Sequence, residues 1–154
     1  MSRSLTRELA MQLIFQMGIQ NDFGADIRER FLKDHEISKQ DRDFIMNICN
    51  AIEENLADID GLINECSAGW TTSRMAKVDL AIARLAVTEI MYTKETPLPV
   101  VINEAVELAK KYGGDSSPKF LNGLLGKLAR TKAEPRKAHS EQTIAVGEDA
   151  DEKQ

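Results

Sequence analysis

Few residues of the kind that build catalytic or metal centres occur in this sequence: two cysteines and two histidines among 154 residues. Cys49 and Cys66 have no CxxC spacing and no nearby histidine, so they are expected to be reduced thiols in a helical core. His35 and His139 lie too far apart in sequence to suggest a shared metal, and isolated surface histidines are expected. No glycine-rich loop follows a strand pattern. Gly113-Gly114-Asp115-Ser116-Ser117 is small and polar, but it comes after a helical pattern where a phosphate loop would come after a strand. With no nucleophile paired to a base, no metal cluster and no phosphate cradle, an enzyme is not expected, and no cofactor is implied.

Long apolar runs are missing too. None approaches the roughly 20 residues that cross a bilayer, and Met1-Ser2-Arg3-Ser4 leads into an amphipathic segment instead of a secretory core. No membrane association is expected, and the cytoplasm is the expected location. Neither β-alternation nor a hairpin turn signal is found, nor a repeat of solenoid length. Positive charge is in deficit as well, with a net charge of -5. The overall field repels a polyanion at long range, so any nucleic-acid site must be local or completed by a basic partner.

What the chain does contain is helical periodicity. Leu5, Leu9, Leu13 and Met17 recur every four residues, which predicts a first helix from about Ser4, stopped by Gly18. A shorter one is predicted over 26–35, carrying Ile27, Phe31 and Leu32. Ser38 can cap a third, with Phe44, Ile45, Ile48, Cys49, Ile52 and Leu56 on its apolar side, and Asp58 to Gly61 can join it to a further helix with Ile59, Leu62 and Ile63. Gly69 to Ser73 breaks the pattern, and Ser73 can cap the next helix. From Arg74 to Tyr92 the chain is apolar on nearly every side, as a central buried helix would be. Pro97 and Pro99 interrupt, with Pro99 suited to the first turn of a helix ending at Gly113 and Gly114. Ser117 and Pro118 read as the cap and first residue of the last helix, whose buried face is Leu121, Leu124, Leu125 and Leu128. The expected fold is all-α: a compact bundle of about seven helices in two packed sub-bundles, a single domain over 1–130, followed by a charged flexible tail over 131–154 in which Ile144 and Val146 are isolated.

Three places could bind a ligand. Arg3, Arg7, Met11 and Phe15 fall four residues apart and form one row on the first helix. Arginine pairs with phosphate and a phenyl face stacks an unpaired base, but packed core residues after a solvated helix start explain the same spacing. Lys119 and Phe120 open the last helix, where backbone N–H groups and the helix dipole favour an anion. Ser117 capping and Phe120 packing explain these equally. Poor helix formers come next at Asn122, Gly123 and Gly126, which suggests close approach by a neighbouring helix or a ligand. Arg84 sits amid the apolar central helix and needs a counter-charge. Asp79 and Glu89 are at the wrong spacing, so the counter-charge is expected from a carboxylate elsewhere or from an external ligand.

The stretch Pro99 to Gly113, Pro-Val-Val-Ile-Asn-Glu-Ala-Val-Glu-Leu-Ala-Lys-Lys-Tyr-Gly, followed by Lys119-Phe120-Leu121-Asn122-Gly123, resembles the NusB family. So do Val78 to Ala86 and the opening Arg7-Glu8-x-Ala10-x-Gln12-x-x-Phe15, and the likeness runs from Arg3 to about Arg130. The resemblance implies an all-helical factor of transcription antitermination that binds the single-stranded boxA RNA of ribosomal RNA operons together with NusE, a small-subunit ribosomal protein, within the RNA polymerase antitermination complex. It assigns Arg3 and Arg7 to the RNA backbone, Phe15 to an aromatic place on the first helix, and Lys119 and Phe120 to an RNA-facing turn. Asp79 and Arg84 fall on the helix facing the partner. Self-association as a homodimer, without strong RNA binding of its own, is the alternative. The sequence departs from the family at its sparser opening arginines, at Phe15 where tyrosine is common, and at Pro118 where the family has histidine.

Overall fold

A computed structural model of the chain describes residues 1–133. Over that range six α-helices and two short helical turns are found, and no strand. The expected tail from residue 134 onward, with His139, Ile144 and Val146, lies outside the described residues.

Helix α1 spans Arg3–Gln20. Ser2 caps it, its side chain accepting from Leu5 N–H, and Asn21 closes it in the left-handed conformation at φ 52°, which asparagine tolerates. Gly18 therefore does not stop the helix as expected. Leu9, Leu13 and Met17 are buried, but Leu5, in the same four-residue row, is 53% exposed. Helix α2 is Ala25–Lys33. Helix α3, Lys39–Cys66, is capped by Ser38 as predicted. It absorbs the two helices expected over this stretch, which lowers the count from seven to six. The joint is a kink at Asn55 (φ -130°, ψ 23°) and not at Asp58 to Gly61. There the Asn55 side-chain amide donates to the Ala51 carbonyl of its own helix at 2.9 Å, a side chain entering the helical ladder at the bend.

The long central helix expected over 74–92 is three pieces: a 3-10 turn at Thr72–Arg74, helix α4 at Lys77–Thr88, and a π turn at Glu89–Thr93. Ser73 lies inside the first turn, and α4 is entered through Ala76 with no side-chain cap. From Leu80 through Ile90 every residue is buried, because α4 packs on α1 and α3 on one side and on α5 and α6 on the other. It is the shared spine of α1–α3 and α4–α6.

Helix α5, Leu98–Tyr112, has Pro99 in its first turn and Gly113 beyond its last. A Cβ on Gly113 would lie 2.6 Å from the Ser117 side chain and 2.9 Å from the Ala109 carbonyl, so only glycine lets the chain turn this closely into α6. Helix α6 is Ser117–Thr131. The Ser117 hydroxyl accepts from Gly114 N–H at 3.0 Å, bracing the loop behind the helix instead of capping the turn ahead.

Candidate functional site

The structure separates residues that the sequence places in one row. Arg7 is 3% exposed. Its guanidinium donates to both carboxylate oxygens of Glu89 at 2.7 and 2.9 Å and to the Thr96 hydroxyl at 3.0 Å. Glu104 lies 4.0 Å from the remaining nitrogen. The π turn delivers Glu89 to this position from 82 residues away. A buried guanidinium held on a fork-shaped pair is an internal counter-charge, so the expected contact of Arg7 with an RNA backbone is corrected: the group points into the protein. Arg3 is half-buried and lies 4.0 Å over the ring of Phe44, a cation–π placement that occupies its guanidinium face. Met11 is core, and Phe15, half-buried, faces elsewhere.

Phe15 lines a shallow groove of about 300 Å³ between the end of α1 and α4, with Ile19, Lys77, Leu80 and Arg84. Arg84 has found its counter-charge in Asp60 of α3, donating to both oxygens at 2.9 and 2.8 Å. A Cβ on Gly18 would come within 3.2 Å of the Arg84 guanidinium, which accounts for glycine there. The groove therefore holds a neutralised ion pair at its floor.

A second, larger groove of about 700 Å³ runs between the 66–79 segment and α6. Lys119, Phe120 and Asp79 meet here, together with residues that sequence periodicity does not single out: Trp70, Arg74, Lys127 and Arg130. Lys119, Gly123, Lys127 and Arg130 succeed one another at helical spacing, so one face of α6 carries three cations with a glycine between them. Among the described residues no carboxylate bonds to the side chains of these three or of Arg74; the Lys127 ammonium donates one long bond of 3.4 Å to the Glu65 carbonyl. A Cβ at Gly123 would meet nothing within 4 Å, so glycine keeps the groove floor low. Trp70 sits at the rim, 53% exposed. Its backbone is fastened to Ser67 through the turn in which Ala68 and Gly69 take φ of 53° and 93°. One oxygen of Asp79 is buried against this groove with no hydrogen-bond partner. Free cations beside two aromatic faces bind phosphate and stack bases.

Elsewhere the chemistry is structural. Glu8 on α1 accepts from Lys111 and from the Tyr112 hydroxyl on α5. These bonds, Lys111's first, hold its carboxyl below the usual range, and they raise Lys111 and Tyr112 in turn. Burial pushes the Cys49 thiol up to about 12 and raises Cys66, so neither supplies a thiolate near neutral pH. His35 is exposed and stacks on Phe31. Among the described residues no three His, Cys, Asp or Glu side chains converge as a metal would need, and no helix is long and apolar enough to cross a membrane.

Comparison with known proteins places this geometry. The NusB family model matches residues 4–130. The chain is 49% identical over 127 residues to the transcription antitermination protein NusB of Alkaliphilus oremlandii, covering 82% of this chain and 92% of that protein. It is 43% identical over 132 residues to its namesake from Acetivibrio thermocellus, covering 86% and 91%. The T. maritima NusB structure superposes with a TM-score of 0.79 at 31% identity, covering 87% of this chain and 94% of that one. A crystal structure of the antitermination factors NusB and NusE in complex with double-stranded RNA shares the fold, with a TM-score of 0.75 at 20% identity, covering 84% and 98%.

Proposed function

The chain belongs to the NusB family, a family of transcription antitermination factors and not of enzymes, and from that premise we propose that it binds the boxA RNA of ribosomal RNA operons together with the ribosomal protein NusE. The observation that carries the RNA part is the 66–79/α6 groove, where Arg74, Lys119, Lys127 and Arg130 stand without side-chain partners beside Trp70 and Phe120. The protein's net charge of -5 repels RNA at a distance, so a short row of cations gives local affinity and a basic partner supplies the rest. In this reading Lys119 and Phe120 contact RNA, and the shallow groove holding Phe15 and Arg84 receives NusE. Asp79 lines the basic groove. Arg3 retains part of its surface and is assigned a minor phosphate contact; Arg7 acts by holding α1 against the π turn.

The test is binding of a boxA oligonucleotide with and without NusE. Tighter binding to boxA than to a scrambled RNA, strengthened by NusE, is expected; no preference in either condition overturns the reading. Replacing Gly123 by alanine raises the groove floor by a methyl that meets nothing within 4 Å, and it should weaken RNA binding while NusE binding persists.

A second reading is a homodimer in which a second copy covers α1, where Leu5 and Ile19 at its two ends are each more than half exposed. Sedimentation across a concentration series, with and without RNA, separates a homodimer from the RNA-bound form.

A further inference from the structure

The cations of the basic groove lack a carboxylate partner among the described residues, and the same chain carries a cluster of acids just beyond them. Arg74, Lys119, Lys127 and Arg130 are all exposed and line one groove. Residues 134–154 hold six acids against three bases, so three of the chain's five net negative charges belong to this stretch. Four of those acids, Glu148, Asp149, Asp151 and Glu152, fall within five residues. A block of one charge repels itself and is drawn to a surface of the opposite sign. Ile144 and Val146 come directly before it, so the segment sets apolar side chains beside acids. The groove offers the matching pair, with Trp70 and Phe120 beside its cations.

The connection is long enough. Arg130 stands three residues before Ala133, the last described residue, so the chain leaves α6 at one end of the groove. Pro135 follows, with no N–H to extend the helix. Lys119 and Arg130 are roughly 16 Å apart along α6, at 1.5 Å per residue. From Ala133 to Glu148 the chain can span up to roughly 50 Å, which brings the acids within reach of all four cations. Tethering gives them an effective concentration on the order of millimolar, so contacts too weak to hold a free peptide suffice.

Resting on the reading that this groove binds RNA, we propose that the acidic segment 148–152 docks on Arg74, Lys119, Lys127 and Arg130 of its own chain and competes with RNA phosphates for them. RNA must displace the acids to enter. An RNA held by the groove alone is thus disfavoured against one that a basic partner also grips. Occupancy of about four-fifths would weaken apparent RNA affinity about 5-fold.

The test begins with carbodiimide, which joins a carboxylate to an amine only where the two touch, applied to the full chain and read by mass spectrometry. Lys119 and Lys127 should be joined to acids among 148–152, and a mixture of heavy- and light-isotope protein should show the joins to lie within one chain. They should fade when an oligouridine 12-mer is added, and also at about 1 M salt, where the screening length falls to about 3 Å. In the full chain, Glu148→Gln, Asp149→Asn, Asp151→Asn and Glu152→Gln together should tighten binding of the 12-mer about 5-fold at low salt. A second variant, Glu36→Gln, Glu54→Gln, Asp58→Asn and Glu95→Gln, removes as much charge from exposed acids outside the groove and should shift affinity less than about 2-fold, since distant charges are screened. Joins confined to lysines outside the groove, joins only between copies, or equal gains from the two variants overturn the docking. Should neither the parent nor the tail variant bind RNA, with NusE present or absent, the RNA reading falls, while joins at Lys119 and Lys127 still uphold the docked segment.

Discussion

The start of α1 and the exposed face of α6 both carry cations at helical spacing, and they use them in opposite ways. Arg3 lies over Phe44 and Arg7 is enclosed by Glu89, Thr96 and Glu104. Lys119, Lys127 and Arg130 line a groove where no side chain answers them. The difference is which neighbour the fold brings. The π turn carries an acid to α1, whereas α6 faces the 66–79 segment, whose acid, Asp79 in the first turn of α4, lines the groove but bonds to none of them. A row of cations in a sequence is thus ambiguous until the opposing element is known, and charge count alone says little about where a polyanion lands.

That contrast can be broken most directly at Arg7. Arg7→Ala leaves Glu89 charged and buried, which should cost about 3–5 kcal/mol of stability, measured by urea denaturation. Below the melting range its RNA salt dependence should match the parent protein. An undiminished midpoint with a flatter salt slope would put Arg7 on the RNA after all. Replacing both members, Arg7→Met with Glu89→Leu, should recover most of the loss.

Next in size is Gly113→Ala, where the added methyl meets Ser117 and the Ala109 carbonyl. Overpacking of this kind should cost about 1–3 kcal/mol and, by shifting the opening turn of α6, weaken RNA binding in parallel. A stable variant with full affinity would detach the groove from this joint.

On the α6 side, Lys119→Ala with Lys127→Ala should leave thermal stability within about 0.5 kcal/mol, as for ordinary surface changes. The slope of log affinity against log salt should fall by about 1.4, since each lost single-strand phosphate contact is worth about 0.7. No change in slope would mean these lysines are as idle toward RNA as Arg7 is expected to be.

The smallest effect is expected at Glu8, where the α1–α5 contact lies near the surface. Its carboxyl is held below the usual glutamate range by Lys111 and Tyr112. The stabilisation is therefore complete above that range and fades as pH falls through the lowered value. Glu8→Gln should melt slightly earlier than the parent at pH 7, and the difference should close in acid. A difference that widens toward low pH would contradict the stated partners.

The helices themselves were legible because apolar residues recur at a period that local geometry enforces, and Ser38, Pro99 and Gly113 punctuate them by backbone chemistry alone. The kink at Asn55 was not, since a side chain bonding its own helix looks like any other polar position. Arg7 and Arg84 found Glu89 and Asp60 across 82 and 24 residues, pairings that only packing decides. Of the site, Lys119, Phe120 and Asp79 were visible, but the fold joins Asp79 to Lys119 and Phe15 to Arg84, a grouping that linear spacing does not contain. The α6 face was in plain sight, at positions 119, 127 and 130, and needed only to be read as a row. Trp70 was not: in a break between helices, an aromatic ring carries no periodicity to give it a direction.

Helix α4 gives this arrangement one further property. It fills the seam of both halves, so cutting the chain in the Ser67–Thr71 loop would yield two fragments, neither owning a complete core. Each would have to capture the other before it could fold, and the intact chain should unfold in one step. A split pair of this kind would reassemble both grooves at once, making recovery of RNA and partner binding a single event.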